Sequence, residues 1–161
     1  MTVSAHAITP CLWFDNRIEE AVNFYISVFG QGEVLSKSHY GEGAPQPKGT
    51  VLVMTFRLGA QKFMALNGGP IFTFNEAVSF MVNCDTQAEV DHFWNAFTAD
   101  GGQESQCGWL KDKYGLSWQI VPNVLPKIMG DKDPAKASRA MAAMMKMKKL
   151  DIAALEKAQA G

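Results

Sequence analysis

"CGWLKDKYGLSWQIVP", residues 107–122, reads as strand, tight turn, strand. In the second strand Leu116, Trp118 and Ile120 alternate with Ser117, Gln119 and Val121, the period-two pattern of a strand with two different faces. Gln119 stands as a single amide near the end of an apolar run. Such a side chain is a polar anchor in a cavity, the occupant of a position that elsewhere holds a metal, or an ordinary outward-facing residue.

Upstream of this hairpin, "AVSFMVNCD" (77–85) has the pattern of a strand closed by an aspartate. "AEVDHFWNAFTADGG" (88–102) follows as a helix ended by glycines. The first half of the chain has the same order. "ITPCLWF" (8–14) is a strand ended by Asp15 and Asn16. "RIEEAVNFYISVFG" (17–30) is a helix whose Ile18, Ala21, Val22, Tyr25, Val28 and Phe29 share one face. "EVLSKSHY" (33–40) is a strand, "GEGAPQPKG" (41–49) a Gly- and Pro-rich loop, and "TVLVMTFRL" (50–58) with "KFMAL" (62–66) a hairpin. Asp15 answers Asp85, Glu20 answers Glu89, Phe24-Tyr25 answers Phe93-Trp94, and Gly32 answers Gly102. This order indicates a duplicated module. Neither half could bury both faces of its helix and sheet alone, so the two are expected to pair into one domain.

The tail, 133–161, is rich in Ala, Met, Lys and Leu, which favour helix. Met141, Met144, Met145, Lys148 and Ile152 fall at three- and four-residue spacings and predict one apolar face, packed on the body or across a dimer. Asp151 predicts a cap that splits the tail into two helices.

With 161 residues, 47% apolar and 19% charged, the chain has the material for one globular domain with a core. A net charge of −1 offers no field for nucleic acid or an anionic membrane. No run reaches the ~18 apolar residues of a membrane span, and the start lacks the basic-then-apolar pattern of a signal peptide. Cys11, Cys84 and Cys107 are odd in number and widely spaced, which predicts free thiols and a cytoplasmic setting.

The repeated module, with "FYISVFG" after "WFD", "FMALNGGP", "FNEAVSFMVNCD" and "CGWLKDKYGLSWQIVP", closely resembles the PhnB-like proteins, also described as the 3-demethylubiquinone-9 3-methyltransferase domain family. These belong to the vicinal-oxygen-chelate superfamily of glyoxalase I, bleomycin-resistance proteins and extradiol dioxygenases. The resemblance runs from about Ile8 through the tail. It implies an α+β fold of two paired βαβββ modules (about 8–67 and 77–122), each curling into a half-barrel, within a domain spanning 1–132. A helical extension, 133–161, follows.

In metal-using members, matching strands supply four ligands. The resemblance places these positions at or next to Ile8, Ala65 (or Met64), Val78 and Gln119, of which only Gln119 is a suitable donor. One amide does not hold a divalent cation against water, so no metal is expected. His6, His39 and His92 stand alone, without a second ligand one helical turn away, and read as surface or half-buried side chains. Cys11 and Cys84 read as small hydrophobes within strands. Cys107 has no neighbouring His to make it a nucleophile. The glycines of "GEGAPQPKG" and "LNGGP" lie outside any strand-to-helix turn, so no S-adenosylmethionine fingerprint and no other cofactor is indicated.

A cavity between the half-barrels would be lined by alternating strand residues. Trp13, Phe56, Met64, Phe80, Met81, Trp109 and Trp118 are its apolar candidates, Asn67 and Gln119 its polar anchors. Tyr40 and Lys111 stand at its rim. The same residues could instead fill a closed core. Two functions follow: a metal-free, homodimeric binding protein for a small flat or apolar molecule, or an enzyme of lyase, isomerase or transferase type. In the first, Asn67 is the expected hydrogen-bond partner of Gln119.

Overall fold

The structure is a computed structural model that describes residues 8–161. It divides into two units, the first ending at Thr73 and the second running Phe74–Gly161. His6 lies outside the described residues.

In the first unit β1 (Cys11–Phe14), α1 (Ile18–Phe29), β2 (Gly32–His39), β3 (Val51–Leu58) and β4 (Gln61–Asn67) follow the expected order. The sheet order is β1-β4-β3-β2, with β1 parallel to β4 and the remaining pairs antiparallel. Helix α1 buries Ile18, Ala21, Val22, Tyr25 and Val28 of the stripe its periodicity predicts, while Phe29 at its end is half-buried. It ends at Gly30, whose φ of 64° is the left-handed conformation glycine adopts without a Cβ penalty. The stripe packs on the side of the sheet that carries Leu12, Phe14, Met54, Phe56, Leu58, Phe63 and Ala65, all buried.

The second unit repeats the plan with β5 (Ser79–Cys84), α2 (Gln87–Thr98), β6 (Gln103–Glu104), β7 (Trp109–Lys111) and β8 (Ser117–Pro122), in the sheet order β5-β8-β7-β6. Thr86 and Glu89 form a capping box at the start of α2, each side chain bonding the other's backbone N–H. Phe97 of α2 stacks on Trp118 with ring centroids 4.6 Å apart. Glu20 and Glu89 both occupy the third position of their helices, and buried Tyr25 and Trp94 both follow five residues later, so the matched pairs fall on matched positions.

Gly32 and Gly102 are matched for reasons of space. A Cβ on Gly32 would lie 2.7 Å from the Arg57 carbonyl oxygen, and one on Gly102 2.0 Å from that of Phe97.

Beyond β8 come α3 (Leu125–Met129), which the periodicity did not indicate, α4 (Pro134–Met144) and α5 (Ile152–Ala160). Asp133 and Asp151 cap α4 and α5 through their side chains. The predicted methionine face is buried only in part, Met144 being the member that packs against the core of the tail. Met141 and Met145 are 44% and 61% exposed, whereas Ala140, Leu150 and Leu155 pack with Ile128. The turn after α4 bonds back to the second unit's body: Cys107 N–H donates to Met147 O (2.8 Å), and Gly108 N–H to Lys148 O (2.7 Å).

Candidate functional site

Strand register decides which side chains share a face, because directly opposed residues point the same way. In the second unit Gln103, Lys111, Ser117 and Ser79 form one row across β6, β7, β8 and β5, and Trp109, Gln119 and Met81 form the next. Trp118, Phe80 and Leu110 form the row pointing the other way, toward α2. The helix-free face is therefore polar at its centre.

Gln119 is half-buried, and its Nε2 donates to Ser79 Oγ at 2.9 Å. The amide is thus anchored by the adjacent strand of its own sheet. The expected partner, Asn67, is committed elsewhere. Its Nδ2 donates to Val51 O (3.1 Å), its Oδ1 accepts from Asn16 N–H (3.0 Å), and its carbonyl accepts from Tyr40 Oη–H (2.6 Å). Asn67 is a fully buried bracket of the first unit rather than an open anchor.

Lys111 forms an ion pair with Glu76, whose carboxyl is held below its ordinary range by that hydrogen bond. A cavity of about 150 Å³ opens beside them, lined by Glu76, Gln103, Trp109, Lys111 and Ser117 among others. The Ser117 hydroxyl is buried and has no hydrogen-bond partner among the described residues. Ser117 was missed in the sequence because a serine in an alternating strand looks like any solvent-facing residue. Asp112 was missed as well. Its Oδ1 accepts from Tyr114 N–H (2.8 Å) and Leu116 N–H (3.1 Å), and its Oδ2 from Trp118 Nε1–H (2.9 Å). This buried carboxylate shapes the "KDKYG" turn and so sets the register that places Lys111 opposite Ser117.

In the first unit the helix-free face carries Trp13, Leu66, Val53 and Ser38 in one row, and Cys11, Met64, Thr55 and Ser36 in the next. The Trp13 indole donates to Gly69 O at 2.8 Å and meets Phe72 edge-on at 4.9 Å. A Cβ on Gly68 would lie 2.2 Å from that indole, so the glycines of "LNGGP" let the chain fold over Trp13.

The candidates thus divide. Trp109, Lys111, Gln119 and exposed Met81 share the helix-free face of the second unit; Trp13 and Met64 share that of the first. Phe56 and Trp118, proposed as pocket lining, are core residues beneath the helices, 0% and 2% exposed, because the alternation turns them to the helix side. Phe80 sits with Trp118 at 5.7 Å. Ile8 and Val78 lie outside the strands and are exposed. Opposite Met64 and Gln119 stand Cys11 and Met81.

These donors do not suit a divalent metal. An amide, a hydroxyl, thioethers and the Cys11 thiol lack the charge or imidazole such sites use. Cys11 is exposed rather than the buried small hydrophobe expected, and partial desolvation raises its pKa. Among the described residues no group of three His, Cys, Asp or Glu is placed to hold one. Cys84 is a buried thiol pushed up to about 11 by burial, then by nearby Glu89 and Asp85.

Residues 6–121 match the family model described as 3-demethylubiquinone-9 3-methyltransferase. The PhnB protein from Bacillus cereus is 38% identical, covering 71% of this chain and 98% of its own, with a TM-score of 0.65. The chain belongs to this PhnB-like family. Protein PA1353 from Pseudomonas aeruginosa (22% identical, 71% and 96% covered, TM-score 0.59) and the fosfomycin resistance protein FosX from Mesorhizobium loti (11%, 81% and 100%, TM-score 0.58) share the fold. No curated protein matches the chain. The PhnB-like assignment covers the two repeated modules; the match to the family model stops at β8, before the helical tail. No helix among the described residues is long and apolar enough to cross a membrane.

Proposed function

We propose that this PhnB-like protein is a metal-free binding protein for a small organic molecule, seated on the helix-free face of the second unit. The observation that carries the reading is a buried hydroxyl, Ser117, without a partner among the described residues, beside a cavity of about 150 Å³. Natural structures rarely leave a buried polar group unpaired, since that costs about 1–3 kcal/mol, and sites for ligands are where they do so. Trp109 supplies an apolar wall, and Lys111 and Gln103 supply polar fixing points, the usual makeup of a small-molecule pocket. The neutral donors at Gln119 and Ser79 support binding without a metal.

The family description favours a second reading, an enzyme that includes methyl transfer to a quinone among its chemistries. Against it, the two strand-to-helix turns, Asp15-Asn16-Arg17 and Asp85-Thr86, contain no glycine to cradle a nucleotide. We also read the chain as a homodimer in the cytoplasm, in keeping with its three free cysteines.

A thermal-shift screen of small aromatic molecules, run beside elemental analysis, tests the binding reading. A stabilising ligand whose effect is lost in Trp109→Ala, with no stoichiometric zinc, nickel or iron, is the expected result. One metal per chain would overturn it. Methyl transfer from S-adenosylmethionine to a quinone would establish the second reading, and light scattering showing a monomer would remove the dimer.

A further inference from the structure

The charge pattern beside the cavity narrows the ligand. Lys111 and Ser117 are directly opposed on β7 and β8, so their side chains leave the same face side by side. The Lys111 side chain is 32% exposed and its present counter-ion is Glu76, 62% exposed, which precedes β5. The protein thus satisfies the cation with one of its own carboxylates and leaves the neighbouring hydroxyl, 1% exposed, without a partner among the described residues.

A carboxylate arriving in the cavity would complete both. One oxygen takes the Ser117 O–H, and the charge faces Lys111 in place of Glu76. Charge-assisted hydrogen bonds of this kind are roughly twice as strong as neutral ones. A dianion is disfavoured: among the described residues a single lysine lines the cavity, and Glu76 and Glu104 line it too. Lys148 is paired with the lining residue Glu104 at 3.1 Å, and Lys149 with Asp91 at 2.6 Å. A neutral ligand would leave Lys111 with Glu76 and gain nothing from the exchange. Trp109, on the same strand two residues before Lys111, offers its ring to the body of the molecule.

We infer that the cavity between Lys111, Ser117 and Trp109 takes a small organic monocarboxylate, with Glu76 as the internal carboxylate it displaces. The inference rests on the small-molecule reading above and adds the chemical class.

Nitrogen-15-labelled full-length protein, titrated with benzoate and with its neutral isostere benzamide, tests it. Benzoate should shift the backbone signals of Lys111 and Ser117 and the Trp109 indole, with a Kd about tenfold below that of benzamide. Lys111→Gln should erase that preference. Ser117→Ala should weaken benzoate about tenfold, and Glu76→Gln should strengthen benzoate a few-fold by removing the competitor. Equal binding of both probes at these residues would overturn the carboxylate assignment and leave the small-molecule site standing. So would unaltered benzoate binding in Ser117→Ala. Saturating probes that shift none of these signals would overturn the class and the site together.

Discussion

The two modules share a fold but treat the same face in opposite ways. Where the first carries Met64 on its last strand, the second carries Gln119. Where the first has Arg57 opposite Lys62, the second has Lys111 opposite Ser117. In the first module the residues after the last strand fold back over Trp13, so the chain itself covers the aromatic side chain. In the second, the corresponding face presents an anchored amide, an ion pair and, beside a cavity, a hydroxyl without a partner among the described residues. Duplication thus yields one module that closes on itself and one left with unfinished hydrogen bonding. The lesson is that a repeat preserves the positions that fill the core, while the opposite face is free to diverge, since packing against the helix constrains only alternate residues.

The hairpin turns differ as well, and here the largest effect is expected. The first module turns through Gly59-Ala60 with Gly59 at φ 55°, whereas the second needs the buried Asp112. Asp112→Ala would leave two backbone N–H groups and the Trp118 indole without their acceptor, and should cost about 3 kcal/mol in urea unfolding. A loss below about 1 kcal/mol would mean the turn holds its shape without the carboxylate.

Exchanging the modules' marker residues sharpens the contrast. Gln119→Met copies the first module's residue, removes one hydrogen bond to Ser79, and should cost about 0.5–1.5 kcal/mol while weakening any ligand that bonds the amide. Gln119→Glu should remain within about 1 kcal/mol of the parent, since the half-buried carboxylate can accept from the Ser79 hydroxyl, and elemental analysis should find no added metal. This is milder than the penalty expected for an unpaired buried charge.

Ser117→Ala should act in the other direction. Removing a buried hydroxyl that has no partner among the described residues should raise stability of the ligand-free protein by up to about 1 kcal/mol, read as a higher urea midpoint. A destabilised variant would show that the hydroxyl has a structural role, and the two modules would then be alike in having satisfied faces.

The smallest effect concerns Glu76, whose carboxyl is held below its ordinary value of 4.5 by the hydrogen bond to Lys111. A depressed carboxylate adds stability above its unfolded value, and that contribution fades as the pH falls through the folded one. The contribution is small because the pair is solvent-screened. Carbon-detected titration should show Glu76 protonating below 4.5 in the parent and rising toward that value in Lys111→Gln.

Much of the architecture was legible in residue order alone. The helix stripe of Ile18, Ala21, Val22, Tyr25 and Val28, the glycine stop at Gly30 and the cap at Asp151 all follow from local preferences that tertiary contacts do not override here. The repeat was legible because its matched residues, such as Tyr25 and Trp94, occupy the same helical positions and fill the same kind of core. What the alternation could not say was which side each strand turned to its helix. It therefore could not tell that Phe56 and Trp118 are core while Trp109, Lys111 and Ser117 share the open face. That choice depends on cross-strand register, where a slip of one residue exchanges the faces. In the second unit the register of β7 and β8 is held by Asp112, whose three acceptor bonds join residues that only the folded turn brings together.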